Sequence, residues 1–347
     1  MKSLLKFKNC RIVLPIITFL LCFVLPSFSL GAQRLLTYGP APTYTGYFGQ
    51  WVLHEQGWDR YLMYFSISSS VVNGKPANTT PGDNGTYNSK CNTWWGDRIW
   101  LTWHFGEGKD PAGWNANDGY GNIPPFMVLN IGGAGESALI GDPSVVYWKN
   151  KWHMFYEGTD SCDGSNNRIF HATADSWFGP WTKQGEVQGL WGMVTGSGLS
   201  WPTILVEDDQ LYLYFTDGYV RLLAAKALDS TGHNFVMMNY DVSKPLGLSN
   251  PAPVSAELIN RGQVVKNGSL YKLLYDNFGR TAISMSESND KFNFPSGTIY
   301  LLPQSNSPNW ENLRVGLPSY LAVGGEQRIY YTGEGSDTKG LGVYSFP

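Results

Sequence analysis

The stretch GDPSVVYWKNKWHMFYEG, residues 141–158, contains two short apolar runs on either side of a polar turn at residues 149–151. Two alternating runs joined by a polar turn are typical of a β-hairpin. Asp142 opens the first run and Glu157 closes the second, so a hairpin brings both acids to the same end. The stretch therefore predicts either a carboxylate site or an ordinary pair of polar strand ends.

The same pattern recurs four more times along the chain. Each copy has a short apolar strand, a polar or Gly-containing turn and an alternating strand that ends in aromatics: QWVLHEQGWDRYLMYFS, WPTILVEDDQLYLYFTDG, RGQVVKNGSLYKLLYDN and LPSYLAVGGEQRIYYTGEG. Five repeats of three or four strands predict an all-β fold, a single five-bladed β-propeller over residues 32–347. The segment RLLTYG, residues 34–39, is expected to supply the outer strand that the last copy lacks and so close the ring.

Composition narrows the class of partner. The chain has 347 residues, of which 42% are hydrophobic, and a formal net charge of -3. A surface so close to neutral argues against nucleic acid as the main partner. The 14 Trp and 20 Tyr residues suit either the faces of sugar rings or the packing of a β-rich core. The five histidines show no metal-ligand spacing and no nucleotide-binding loop stands out, so neither a metal nor a cofactor is predicted.

The first 31 residues are typical of a signal peptide. Lysines and an arginine precede an apolar run at residues 12–24, and small residues follow it. We therefore expect a secreted or periplasmic protein that leaves the membrane after cleavage, with a retained anchor as the alternative. Cys91 and Cys162 are expected in equivalent loops of adjacent blades, which predicts a disulfide between them. Two unrelated thiols are the alternative.

Propeller geometry places two sets of residues at one end of the central axis, here called the mouth. The first strand of each blade starts at this end and the second strand returns to it. The expected first-strand residues are Trp51, Asp142, Trp201, Arg261 and Leu317. The second strands are expected to return near Ser66, Glu157, Thr216, Asp276 and Thr332.

Residues 138–187 resemble the second blade of a known enzyme group almost segment for segment. GDPSVVYWKNKWHMFYEG and the following RIFHATADSWFGPWTKQGEV resemble the five-bladed propeller glycosidases of family 43 and their arabinanase, xylosidase and invertase-like relatives. The resemblance implies three carboxylates at the first-strand starts of blades one to three: a base or nucleophile, a tuning group and a general acid. Asp142 matches the tuning position. Residues 50–51 (QW) and 200–202 (SWP) stand where the other two acids are expected.

Asp142 is therefore the first catalytic candidate, and other acids near the mouth are candidates for its partner. These acids are Glu136, Glu157 and Glu257. Each of the three is alternatively a solvated loop acid, because Asp and Glu are mostly exposed in folded proteins. For Asp142 the alternative is a residue that holds neighbouring backbone N–H groups in place.

Four further residues are candidates for binding a sugar. Arg261 is expected either to bind the carboxylate of an acidic sugar or to form an ion pair with Asp142. Trp51 and Trp201 are expected either to stack on sugar rings or to plug the channel. Trp94 lies in a long loop at residues 66–97, and loops of that length are usually functional or disordered.

Two functions from different classes fit this sequence. The first is a monomeric, secreted glycoside hydrolase that acts on a polysaccharide or oligosaccharide with a rearranged set of acids. The alternative is a non-catalytic glycan-binding propeller derived from such enzymes, which needs aromatic side chains but no acid pair. A third interpretation is a structural propeller whose channel is closed by packed tryptophans. Because fold alone does not fix function, the choice among the three depends on whether two carboxyl groups lie together at the mouth.

Overall fold

Five four-stranded antiparallel sheets make up the computed structural model, and their ring confirms the predicted all-β, five-bladed β-propeller. The structure describes residues 33–34, 45–55, 57, 59–69, 98–105, 108, 114, 126–192, 196–218, 220–245, 247, 249–303, 311–335 and 339–346. The signal peptide predicted at residues 1–31, Trp94 and Cys91 lie outside these residues, so the statements that depend on them stay predictions.

The strands follow the chain blade by blade, except that the first, β1 (Gln33–Arg34), belongs to the last blade. Blade one contains β2 (Thr45–Glu55), β3 (Arg60–Ser69), β4 (Arg98–Phe105) and β5 (Phe126–Leu129). Blade two contains β6 (Leu139–Trp148), β7 (Lys151–Thr159), β8 (Arg168–Ala174) and β9 (Thr182–Glu186). Blade three contains β10 (Ser200–Glu207), β11 (Gln210–Thr216), β12 (Leu222–Ala227) and β13 (Phe235–Met237). Blade four contains β14 (Ile259–Asn267), β15 (Leu270–Asn277), β16 (Ile283–Ser288) and β17 (Thr298–Leu301). Blade five contains β18 (Arg314–Val323), β19 (Glu326–Glu334) and β20 (Lys339–Phe346).

Blade five is completed by the other end of the described chain. Gln33 and Arg34 of β1 pair with Val343 and Gly342 of β20. This pairing supplies a fourth strand at the start of the predicted segment 34–39, of which the structure describes Arg34. The outer edge of β20 is thereby covered, which removes an open strand edge from the ring.

Adjacent blades pack face to face through the apolar residues of their alternating strands. Phe155 of blade two and Phe215 of blade three share one buried cluster, and Phe65 of blade one and Tyr330 of blade five share another. Each of these side chains is fully buried, which stabilises the fold by about 1.5–3 kcal/mol per residue. In the part of the chain that the structure describes, no helix has the length and apolar character needed to cross a membrane.

A column of imidazole rings lies between blades two and three. His153 and His171 are buried, and their rings are stacked with centroids 5.2 Å apart. His153 Nδ1 lies 3.0 Å from His171 Nε2, and His153 Nε2 lies 3.1 Å from the carbonyl oxygen of Trp148. Phe155 stacks on His171 from one side and His233 from another. Burial lowers the pKa of His153 to about 4 and holds the pKa of His171 well below its usual value.

Candidate active site

A two-residue bulge interrupts each innermost strand at its mouth end. The register with the second strand shifts across Gly49–Gln50 in β2, and the equivalent bulges lie at residues 142–143, 201–202, 260–261 and 317–318. Asp142, Trp201 and Leu317 adopt positive φ angles of 49°, 53° and 52° there, and Gly49 has a φ of 63°. A bulge re-aims the residues that it contains. The residues of these five bulges are therefore the first-strand residues that lie at the mouth.

Hydrogen bonds between blades fix the bulges in place. The backbone N–H of Asp142 donates to Ser66 Oγ at 2.8 Å, and that of Trp201 donates to Glu157 Oε2 at 3.1 Å. The equivalent bonds of the next blades run from Leu317 N–H to Asp276 Oδ2 at 3.1 Å and from Gly49 N–H to Thr332 Oγ1 at 3.3 Å. In each bond the acceptor directly follows a buried aromatic residue near the end of a second strand. We call this arrangement the inter-blade clasp.

In blade one the residue at the mouth lies two positions before the expected Trp51. Gly49, and not Trp51, occupies the clasp position equivalent to Asp142. A Cβ atom on Gly49 would lie 2.0 Å from Asp142 Oδ1, so no side chain fits there beside Asp142. Trp51 lies deeper and is buried, with its Nε1–H donating to the carbonyl oxygen of Val145 at 2.8 Å. Trp51 therefore packs in the core between blades one and two and offers no open stacking platform.

Asp142 and Glu157 form a carboxyl pair at the mouth. Their side chains share a hydrogen bond, and Asp142 is 2% exposed whereas Glu157 is partly exposed. Burial raises the pKa of Asp142, while the Arg261 guanidinium and the hydrogen bond from Glu157 act in the opposite direction. Two carboxyl groups in direct contact do not readily ionise together, which favours a shared proton.

Two arginines and a third acid surround this pair. Arg261 is fully buried, and its Nη1 lies 3.8 Å from Asp142 Oδ1. Asp276 is also fully buried and accepts the backbone N–H of Arg261 at 2.8 Å. Arg280 Nε lies 3.8 Å from Asp276 Oδ2, and Arg280 Nη1 donates to Glu334 Oε1 at 2.7 Å. The sequence predicted the Arg261–Asp142 ion pair as one alternative. It gave no role to Arg280, which follows the second strand in the DNFGR segment.

Glu136 and Glu257 occupy a different, repeated position. Tyr156 Oη donates to Glu136 Oε2 at 2.8 Å, and Tyr275 Oη donates to Glu257 Oε2 at 2.7 Å. Glu136 also forms an ion pair with Lys183 at 2.9 Å, and burial raises the pKa of its carboxyl. Blade five repeats the bond with Tyr331 and Glu311. A tyrosine–glutamate bond in three blades favours a structural role, and among the described residues no contact joins Glu136 or Glu257 to Asp142.

The remaining predicted residues divide between the mouth and the undescribed segments. Trp201 is partly exposed at the mouth, and its backbone N–H donates to Glu157, so an aromatic residue adjoins the carboxyl pair. Cys162 lies in the mouth loop between β7 and β8, where the predicted disulfide requires it. Within the described part of the chain, no three His, Cys, Asp or Glu side chains converge in a way that would hold a metal ion.

The site thus combines two carboxyl groups in contact, a buried arginine close to one of them and a partly exposed tryptophan next to the other in the hydrogen-bond network. Such a set can deliver a proton to a leaving oxygen and activate water. No protein-family model matches the chain, and no curated protein matches it.

Solved structures do resemble this chain. The β-xylosidase RS223 superposes with a TM-score of 0.58 at 14% identity, over 91% of this chain and 95% of that one. Zg3597, a family 117 glycoside hydrolase produced by the marine bacterium Zobellia galactanivorans, gives 0.58 at 15% identity, over 90% and 89%. The GH43_1 enzyme from Xanthomonas citri, complexed with xylotriose, gives 0.53 at 12% identity, over 91% and 90%. The chain therefore has the five-bladed β-propeller fold of family 43 and family 117 glycoside hydrolases.

Proposed function

We propose that this protein is a secreted glycoside hydrolase in which Asp142 and Glu157 form the acid–base pair. The observation that carries this proposal is their shared hydrogen bond at the mouth, beside the partly exposed Trp201. Glycoside hydrolysis needs one carboxyl group that donates a proton to the leaving oxygen and one carboxylate that activates water or attacks carbon. The sugar ligand of the Xanthomonas citri enzyme supports a carbohydrate as the substrate class.

The clasp itself does not require an acid at position 157. Ser66 of blade one and Thr332 of blade five accept the equivalent backbone N–H groups, those of Asp142 and Gly49, through hydroxyl oxygens. The carboxyl group of Glu157 therefore makes one contact that the clasp does not need, the hydrogen bond to Asp142. This comparison separates the proposed catalytic role from the structural one.

Substrate must enter between the two carboxyl groups. A hydrogen-bonded pair of oxygens is about 2.5–3 Å apart, whereas glycosidase carboxyl pairs are roughly 5–10 Å apart. Glu157 is the more exposed of the two, so a sugar entering from the mouth meets it first. We expect the glycosidic oxygen to take over the Glu157 proton as the pair separates.

A non-catalytic glycan-binding propeller is the second candidate. It is favoured by Gly49, which leaves no space for a side chain at the position where the family 43 resemblance implies an acid. In that case Trp201 and the rim of the mouth bind sugar, and the carboxyl pair only closes the channel. Monomeric state, secretion and the Cys91–Cys162 disulfide belong to both candidates as proposals.

A polysaccharide panel distinguishes the two candidates. Release of reducing sugar is measured for the purified protein and for Asp142→Asn, Glu157→Gln and Glu157→Thr. Glu157→Thr is the matched control for folding, because threonine can preserve the clasp as it does in blade five. The hydrolase is supported by activity that falls at least about 100-fold in all three variants while their melting temperatures stay near wild type. Sugar binding without release of reducing ends by wild type supports the binding module instead.

A further inference from the structure

Arg261 is buried next to the carboxyl pair, and its guanidinium group faces Asp142. Its Nη2–H donates to the carbonyl oxygen of Pro143 at 3.3 Å, and its Nε and Nη1 have no hydrogen-bond partner among the described residues. The guanidinium carbon lies 5.9 Å from the centre of the Trp51 indole. Buried against an indole, this cation cannot be screened by water, and arginine stays protonated in proteins.

The other charged groups near Asp142 are already engaged elsewhere. Asp276 accepts the N–H groups of Arg261 and Leu317 and lies beside Arg280. Arg280 in turn is bonded to Glu334. Glu157 is the remaining group, and it meets Asp142 through the shared hydrogen bond. Arg261 is thus the cation that acts most directly on Asp142, and it reaches across the axis from blade four.

We infer that Arg261 is a positioning residue that keeps Asp142 ionised and the shared proton on Glu157, which makes Glu157 the general acid and Asp142 the base. This inference rests on the proposed function and deepens it. Burial raises the pKa of Asp142 overall. Of the effects that oppose burial, that of the Arg261 guanidinium is the largest and that of the hydrogen bond from Glu157 is the next.

The assignment gives a balanced proton cycle. The Glu157 proton passes to the glycosidic oxygen as its bond to the anomeric carbon breaks. Asp142 takes a proton from the attacking water, whose oxygen forms the new bond to that carbon. Asp142 is then protonated and neutral, and Glu157 is ionised. When the sugars leave, the hydrogen bond between the two side chains re-forms and returns the proton from Asp142 to Glu157, so no outside acid is needed to reset the site.

The test locates the proton directly. The carboxyl carbons of Asp and Glu are labelled with carbon-13, and Asp142→Asn and Glu157→Gln assign the two signals in a pH titration of the full protein. In wild type we expect Asp142 to ionise at the lower pH. Arg261→Met should raise the pKa of Asp142 by about 1–3 pH units, the usual effect of an adjacent guanidinium, and Arg261→Lys should restore part of the difference.

Activity provides a second readout. The acid limb of the kcat/KM profile should move to higher pH in Arg261→Met and partly return in Arg261→Lys. The inference is overturned if the wild-type titration places the proton on Asp142, whether or not Arg261→Met folds. It is also overturned if a folded Arg261→Met titrates like wild type. If no glycan is hydrolysed, the proposed function fails, yet the titration still decides where the proton resides.

Discussion

Replacing His153 by glutamine should reduce the protein's loss of stability in mild acid. His153 is buried in the imidazole column, and its pKa falls from 6.5 to about 4 in the folded chain. When the pH drops below 6.5, the ordinary pKa of histidine, His153 binds a proton in the unfolded chain but not in the folded chain. Stability is therefore lost from about pH 6.5 down to about pH 4 and not below it. At about 1.4 kcal/mol per pH unit, His153 costs ~2 kcal/mol between pH 7 and pH 5.

Urea unfolding at several pH values between 5 and 7 measures this effect. Glutamine keeps a donor for the Trp148 carbonyl but does not titrate, so the variant should lose ~2 kcal/mol less than wild type over this range. His171 stays in the variant and retains its own share of the acid sensitivity. His54→Gln is the control, because His54 lies outside the column and contacts Asp59 at 3.1 Å. Parallel stability curves for wild type and His153→Gln would refute the reasoning.

Two further outcomes are expected from the structure and one from the sequence. Gly49→Ala should destabilise the fold by about 1–3 kcal/mol more than Gly268→Ala in thermal melts, because both glycines have a φ of 63° but only Gly49 lacks space for a Cβ. Equal losses would contradict the steric argument. Glu207→Gln should cost about 1–2 kcal/mol near pH 7, and the difference should shrink as the pH falls toward about 2, because two lysines and a tyrosine lower the pKa of that carboxyl to about 2. A pH-independent difference would rule this out. Peptide mapping of non-reduced secreted protein should recover Cys91 linked to Cys162, and two free thiols would disprove the disulfide.

The repeated hairpin pattern was sufficient to predict the propeller because each blade buries both faces of its alternating strands. The same pattern located the ends of the second strands, including Glu157 and Asp276, since aromatic residues mark where these strands reach the mouth. The contact between Asp142 and Glu157 follows from the pairing of β6 and β7, which the opening stretch already contains.

The alignment of blade one was wrong because its first hairpin has a longer turn than the other blades. Four residues separate Glu55 from its partner Arg60, whereas two residues separate Trp148 from Lys151. Counting back from the second strand therefore places Trp51 where Gly49 lies, two positions nearer the mouth than Trp51 itself. The hydrogen bonds of Glu136 and Glu257 were not predicted for a different reason. Their tyrosine partners lie on the second strands, and only a comparison of acids upstream of each blade with those tyrosines would have revealed the repeat.

The pairing of β1 with β20 also governs the order in which this chain can fold. Gln33 meets Val343, so blade five cannot be completed until nearly the whole chain has been synthesised. Blades one to four can form from local hairpins as they emerge, while β1 waits for a partner from the far end of the sequence. Such distant pairing slows the final step and leaves a strand edge exposed until it occurs. Closure of the ring is therefore the step at which chaperones would act, and at which changes to residues 33–34 would affect yield more than activity.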